Sequence, residues 1–106
     1  MSKRTYDKQS DHDRSIENKA KEWADEGYSV EADLEGWNKP PIVDGNIPDI
    51  VAKKTGAMTR VCEIETDDTI ETNEKKREIL EKYANSIDAS FWLYLAKEDG
   101  RCFFVR

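Results

Sequence analysis

The sequence predicts one α/β domain with element order α-β-β-β-α-β-β, a mixed sheet flanked by helices. Three observations predict it. An apolar stripe at helical spacing opens the chain. Short apolar segments broken by Pro and Gly turns follow. A second amphipathic segment then leads into the nearly continuous apolar run Phe91–Ala96. With 106 residues there is room for one domain and little more.

The elements follow in order. Residues 1–12 are polar and without periodicity, which reads as a loose arm ahead of a domain over residues 13–106. From Asp13 to Glu26, Ile16, Ala20, Trp23 and Ala24 recur at three- and four-residue steps. Asp11 or Asp13 can cap this first helix, and Gly27 stands where a C-terminal cap belongs. Tyr28–Leu34 alternates as a strand, and Gly36–Pro48 is a long loop punctuated by Pro40-Pro41, Asp44-Gly45 and Pro48. Ile50–Ala52 and Met58–Thr66 form a hairpin around the turn Lys53–Gly56. In Glu71–Asn85, a second helix, Ile79, Leu80, Tyr83 and Ala84 face inward, while Glu74, Lys75, Arg77, Glu78 and Glu81 stay wet. Phe91–Ala96 reads as a central strand covered on both faces, and Cys102–Val105 returns after the turn at Glu98-Asp99-Gly100.

Composition narrows the chemistry. Cys62 and Cys102 lie in apolar segments with no CxxC spacing and no histidine cluster, which indicates two buried thiols rather than a zinc site. The single histidine, His12, falls in the polar N-terminal stretch, which disfavours Ser-His-Asp, Cys-His and histidine-metal mechanisms. Carboxylates, lysines and a bound ion remain. The net charge of −6 argues against unspecific coating of DNA, although metal-binding acids contribute to it. No apolar run reaches the length of a membrane span and no signal-peptide pattern opens the chain, so a cytoplasmic protein is expected.

One constellation carries chemistry. Side chains alternate along a strand, so Glu63 and Glu65 share a face, about 6.6 Å apart along the chain, with Cys62 and Ile64 on the other. Asp49 opens the partner strand of the same hairpin. The intervening residues suffice for a strand, a turn and the return, so Asp49 can stand level with Glu63. Three carboxylates in a sheet repel one another and resist desolvation. A divalent cation relieves both costs, and oxygen ligands suit Mg²⁺ or Mn²⁺. Such an ion activates water and stabilises the charge that develops on a scissile phosphate. The plainer alternative is a solvated acidic hairpin face.

At these residues the chain resembles the PD-(D/E)xK nuclease superfamily, with a restriction-endonuclease-like fold, and most closely its small Holliday-junction-resolvase-like members. Glu17 lies on the first helix, and Gly27-Tyr28-Ser29-Val30 follows at a matching distance. Pro48-Asp49-Ile50-Val51-Ala52 matches the first motif and Glu63-Ile64-Glu65 the second. The resemblance implies that Asp49 and Glu63 bind metal, with Glu17 assisting through water or a second ion. It departs from the family at Glu65, where Lys is usual. Lys75 and Lys76, near the start of the second helix, stand where family members with a displaced lysine often place it, and they also read as a solvated helix face.

The expected function is hydrolysis of DNA phosphodiesters with Mg²⁺ or Mn²⁺, with Asp49, Glu63 and Glu65 holding the ion. The alternative is a catalytically inactive module on the nuclease scaffold that binds nucleic acid or protein. Lys53, Lys54, Lys75, Lys76 and Trp37 are candidate nucleic-acid contacts, as are Arg60 on the hairpin and Lys3, Arg4 and Lys8 in the arm. Trp37 reads equally as a hydrophobic lid. The small size also leaves room for a symmetric homodimer on the DNA.

Overall fold

The computed structural model describes residues 6–106. The elements run α1 (Tyr6–Asp25), β1 (Ser29–Ala32), β2 (Ile50–Lys53), β3 (Arg60–Glu65), α2 (Glu74–Ser86), β4 (Ser90–Ala96) and β5 (Cys102–Phe104). This is the α-β-β-β-α-β-β order of the sequence reading. It builds a five-stranded mixed sheet in the order β1-β2-β3-β4-β5. Only β3 and β4 run parallel, because only they are joined by a crossover helix, α2. Hairpin connections make β2–β3 and β4–β5 antiparallel.

α1 starts earlier than the sequence suggests. Tyr6–His12 is already helical, so the expected arm over residues 1–12 is corrected there. The remainder of that arm, with Lys3 and Arg4, lies outside the described residues. The physical reason is one added turn of the buried stripe: His12, Ile16, Ala20 and Trp23 follow at steps of four, four and three, and all are buried. Gly27 ends the helix at φ +97°, a left-handed conformation that costs glycine little. α2 begins at Glu74 rather than Glu71, since residues 66–73 wind into hydrogen-bonded turns between Thr66, Thr69 and Asn73.

The two faces of the sheet differ. Against α1, a cluster of Ile16, Ala20, Trp23, Ala32, Ile50, Ala52, Cys62, Ile64, Tyr94 and Ala96 forms the main core. Each large aliphatic side chain fully buried there contributes about 1.5–3 kcal/mol. Both cysteines are free thiols; Cys62 is buried and Cys102 half-buried. Against α2 the apolar cluster is smaller, Val61, Ala84 and Ala89 with Tyr83 and Phe91 packed on it. Period-two alternation assigns Val61, Glu63 and Glu65 to this thinner side, so the acids of β3 meet α2 rather than water. Among the described residues, no helix is long and apolar enough to cross a membrane.

Candidate functional site

The β2–β3 register pairs Ile50 with Cys62, which sets Asp49 opposite Glu63. The Asp49 backbone N–H donates to Glu63 Oε1 at 3.0 Å, and the Ile64 N–H donates to Asp49 Oδ2 at 2.7 Å. Each carboxylate is thus held by the other residue's strand. Asp49 is 3% exposed, and Glu63 and Glu65 are 0% exposed.

Buried negative charge demands partners, and both helices supply them. From α2, Lys76 Nζ lies 3.3 Å from Glu63 Oε2, and Arg77 Nη1 lies 3.3 Å from Glu65 Oε2. Asn73 Nδ2 donates to Glu65 Oε1 at 3.4 Å. Arg77 was expected to stay wet, and it is buried with Leu80 and Ala84 instead. Its place in the buried stripe of α2 is sustained by Glu65. From α1, His12 Nε2 lies 3.3 Å from Asp49 Oδ2, and its Nδ1 lies 3.1 Å from Asp13 Oδ1. His12 therefore sits in the site rather than in a loose polar stretch. The signal that locates it is its spacing, one turn before Ile16 in the α1 stripe.

The electrostatics are asymmetric. Burial pushes the Glu63 carboxyl well above its ordinary range, and the neighbouring Asp49 charge adds to this, against the pull of Lys76. Burial also acts to raise Asp49. The charge and hydrogen bond of His12, the Lys76 charge and the Ile64 N–H outweigh it and hold the group below its usual value. Lys76 is raised: desolvation opposes its charge, but Glu63 and Asp49 win. One carboxylate stays ionised beside another that resists ionising, a division of roles common at reactive centres.

The other sequence candidates are placed as follows. Glu17, on α1, accepts from Trp37 Nε1 at 2.7 Å and pairs with Lys21 at 3.3 Å; it is His12 that reaches Asp49. The Trp37 hydrogen bond, followed by the Lys21 charge, lowers its carboxyl despite slight burial. Trp37 is half-buried against the main core, pinned as a cover. Arg60 lies 4.4 Å over Tyr28, 4.8 Å over Trp92 and 5.0 Å over Trp23, so its guanidinium is committed to packing. Lys54 donates to the Glu26 carbonyl at the end of α1. Lys53 and Lys75 are exposed, and Lys8 pairs with Asp67 at 3.5 Å.

The donor chemistry suits a hard divalent ion. Asp49 and Glu63 offer adjacent buried oxygens, and Glu63 Oε2 makes no hydrogen bond of regular geometry, only the ion pair with Lys76. Among the described residues no three His, Cys, Asp or Glu side chains gather as a ready metal cage. A Mg²⁺-type ion requires only one or two carboxylates and fills its remaining positions with water, and the Asp49–Glu63 pair meets that requirement. No family model and no curated protein matches this chain.

Proposed function

We propose that the protein is a metal-dependent phosphodiesterase with a restriction-endonuclease-like fold that acts on DNA. The observation that carries the proposal is the meeting of Asp49 and Glu63 at the β2–β3 register, with the Lys76 ammonium 3.3 Å from Glu63 Oε2. The element order, the mixed sheet and the crossover helix before β4 also support it.

Asp49 and Glu63 would hold the cation, with Glu65 as a further oxygen donor once released from Arg77 and Asn73. Such an ion, when bound, supplies Lewis acidity and lowers the pKa of water. Lys76 takes the role that the strand gives up at Glu65: it presents a positive charge, from the helix, to a phosphate oxygen. Because the carboxylates are buried and Lys76 is partly exposed, the lysine is also the entrance. A phosphate reaches Glu63 as the ammonium turns from the carboxylate to the substrate. A chain of this size covers little DNA, so we place it there as a symmetric homodimer.

The test is cleavage of duplex, single-stranded and branched DNA, and of RNA, with Mg²⁺ or Mn²⁺. The expected result is cation-dependent cleavage of DNA that falls about 1,000-fold in Asp49→Asn, the loss of about 4 kcal/mol of transition-state stabilisation. A second reading draws on the Glu65–Arg77–Asn73 cluster, which neutralises the usual lysine position as a purely structural centre would. Absence of cleavage with either cation, with DNA or protein binding retained in Asp49→Asn, would favour that inactive binding module instead.

A further inference from the structure

β5 is an edge strand of the sheet, and Phe103 on it is 51% exposed. The register pairs Glu65 with Leu95 and Leu95 with Phe103, so the three share one face. Strands about 4.8 Å apart put the Phe103 backbone about 10 Å from that of Glu65. Beside this phenylalanine, at the carboxyl ends of β3 and β4, opens a cavity of about 370 Å³ whose lining includes Lys8, Asp67, Lys97, Asp99 and Arg101. We propose that it takes one unpaired nucleotide of the DNA strand beside the cleaved linkage, with the base on Phe103 and a backbone phosphate on Lys97. The inference rests on the DNA-cleaving reading above and deepens it, since it makes a strand with unpaired bases the substrate.

The lining separates an anchor from a frame. Lys8 pairs with Asp67 at 3.5 Å and Arg101 with Asp99 at 2.6 Å, so each of these cations is matched by a neighbour. Among the described residues Lys97 forms no ion pair; its Nζ stands 5.8 Å over the Phe103 ring. This ammonium is the cation available to a phosphate. With Glu98 the lining holds three acids against three cations, so no surplus charge is present to hold a bare anion. An aromatic face supplies what charge does not, and every base has a π-face to stack on it. The acid oxygens accept hydrogen bonds from base amino groups. The volume falls within the range of about 300–1,000 Å³ of small-molecule sites. A base enters such a recess only from outside the helical stack, at least cost where it is already unpaired. The carboxyl ends of parallel strands are also where α/β sheets commonly bind their ligands.

The experiment uses the full chain with a short fluorescein-labelled DNA single strand and the blunt duplex of the same sequence. Fluorescence anisotropy in EDTA reads binding, and Mn²⁺ is then added to read cleavage. The expected result is tighter binding of the strand than of the duplex, reduced about tenfold in Phe103→Ala. In Lys97→Gln the slope of log affinity against log salt should fall by about 0.7, the loss of one phosphate contact. That slope decides the matter if Phe103→Ala folds poorly. Strand affinity unchanged in both variants, with cation-dependent cleavage intact, would overturn the subsite and leave the cleavage reading standing. Affinity that depends on both residues without any cleavage would keep the nucleotide subsite and overturn catalysis. Equal binding of strand and duplex would overturn the preference for unpaired bases. A dimer that dissociates in Phe103→Ala, with strand affinity unchanged, would assign the ring to contact between two copies and overturn the subsite.

Discussion

Lys76 Nζ lies 3.3 Å from Glu63 Oε2, so α2 delivers to the middle of the sheet the positive charge that β3 does not carry at Glu65. Remove the ammonium and Glu63 keeps its burial without its cation. Lys76→Met is expected to lose about 3 kcal/mol at neutral pH, the lower end for a broken buried pair because Lys76 is partly exposed. The loss should shrink in acid, where Glu63 takes up a proton. Urea denaturation at neutral and acidic pH measures both; an equal loss at the two would mean that packing, not charge, is responsible.

Asp49 and Glu63 should give stability profiles of opposite slope. Glu63 is raised above 4.5, so the folded protein binds a proton that the unfolded chain releases. Its contribution is full below 4.5 and falls as pH rises toward the folded value. Glu63→Gln is therefore expected to be more stable than the native protein at neutral pH, with the gain vanishing in acid. Asp49 is held below 3.8, so its contribution is present above that value and is lost as pH falls through the lower folded value. Asp49→Asn should be less stable at neutral pH and converge with the native protein in strong acid. Thermal unfolding between about pH 3 and 8 tests the pair, and parallel curves for the two variants would contradict it.

The Glu65–Arg77 pair calls for a double-mutant cycle. Arg77→Met alone leaves an uncompensated buried carboxylate and should cost about 3–5 kcal/mol. Adding Glu65→Leu should recover most of that loss, because two apolar groups replace two matched charges. Additive losses in chemical denaturation would show that the pair is not coupled.

Glu17 and Trp37 separate a helper of the proposed cation site from a structural brace. Since Glu17 is engaged by Trp37 and Lys21, Glu17→Gln should leave Mn²⁺ affinity within about twofold of native. Trp37→Phe should cost about 1 kcal/mol through the lost hydrogen bond. A tenfold fall in Mn²⁺ affinity in Glu17→Gln, read by calorimetry, would restore the helper role implied by the family resemblance.

Much of the frame was legible in the chain. Period-two alternation in β3 placed Glu63 and Glu65 on one face and Cys62 and Ile64 on the other, and the hairpin length brought Asp49 level with Glu63. These are local properties: a strand's side chains alternate whatever surrounds it, and a short turn sets the register. Element ends were less legible. The start of α1 at Tyr6 was missed because a polar helical turn has no apolar period of its own.

The sequence by itself determined the element order and the grouping of three acids on one hairpin. Tertiary structure alone decided that His12, Lys76 and Arg77 close over those acids while Glu17 turns to Trp37. The spacing of His12 sets it on the buried stripe of α1, but a lysine or arginine on a helix carries no mark of burial in its own spacing. What makes burial favourable is an opposite charge on a strand remote in sequence, and that charge reaches it only when the sheet and helices pack.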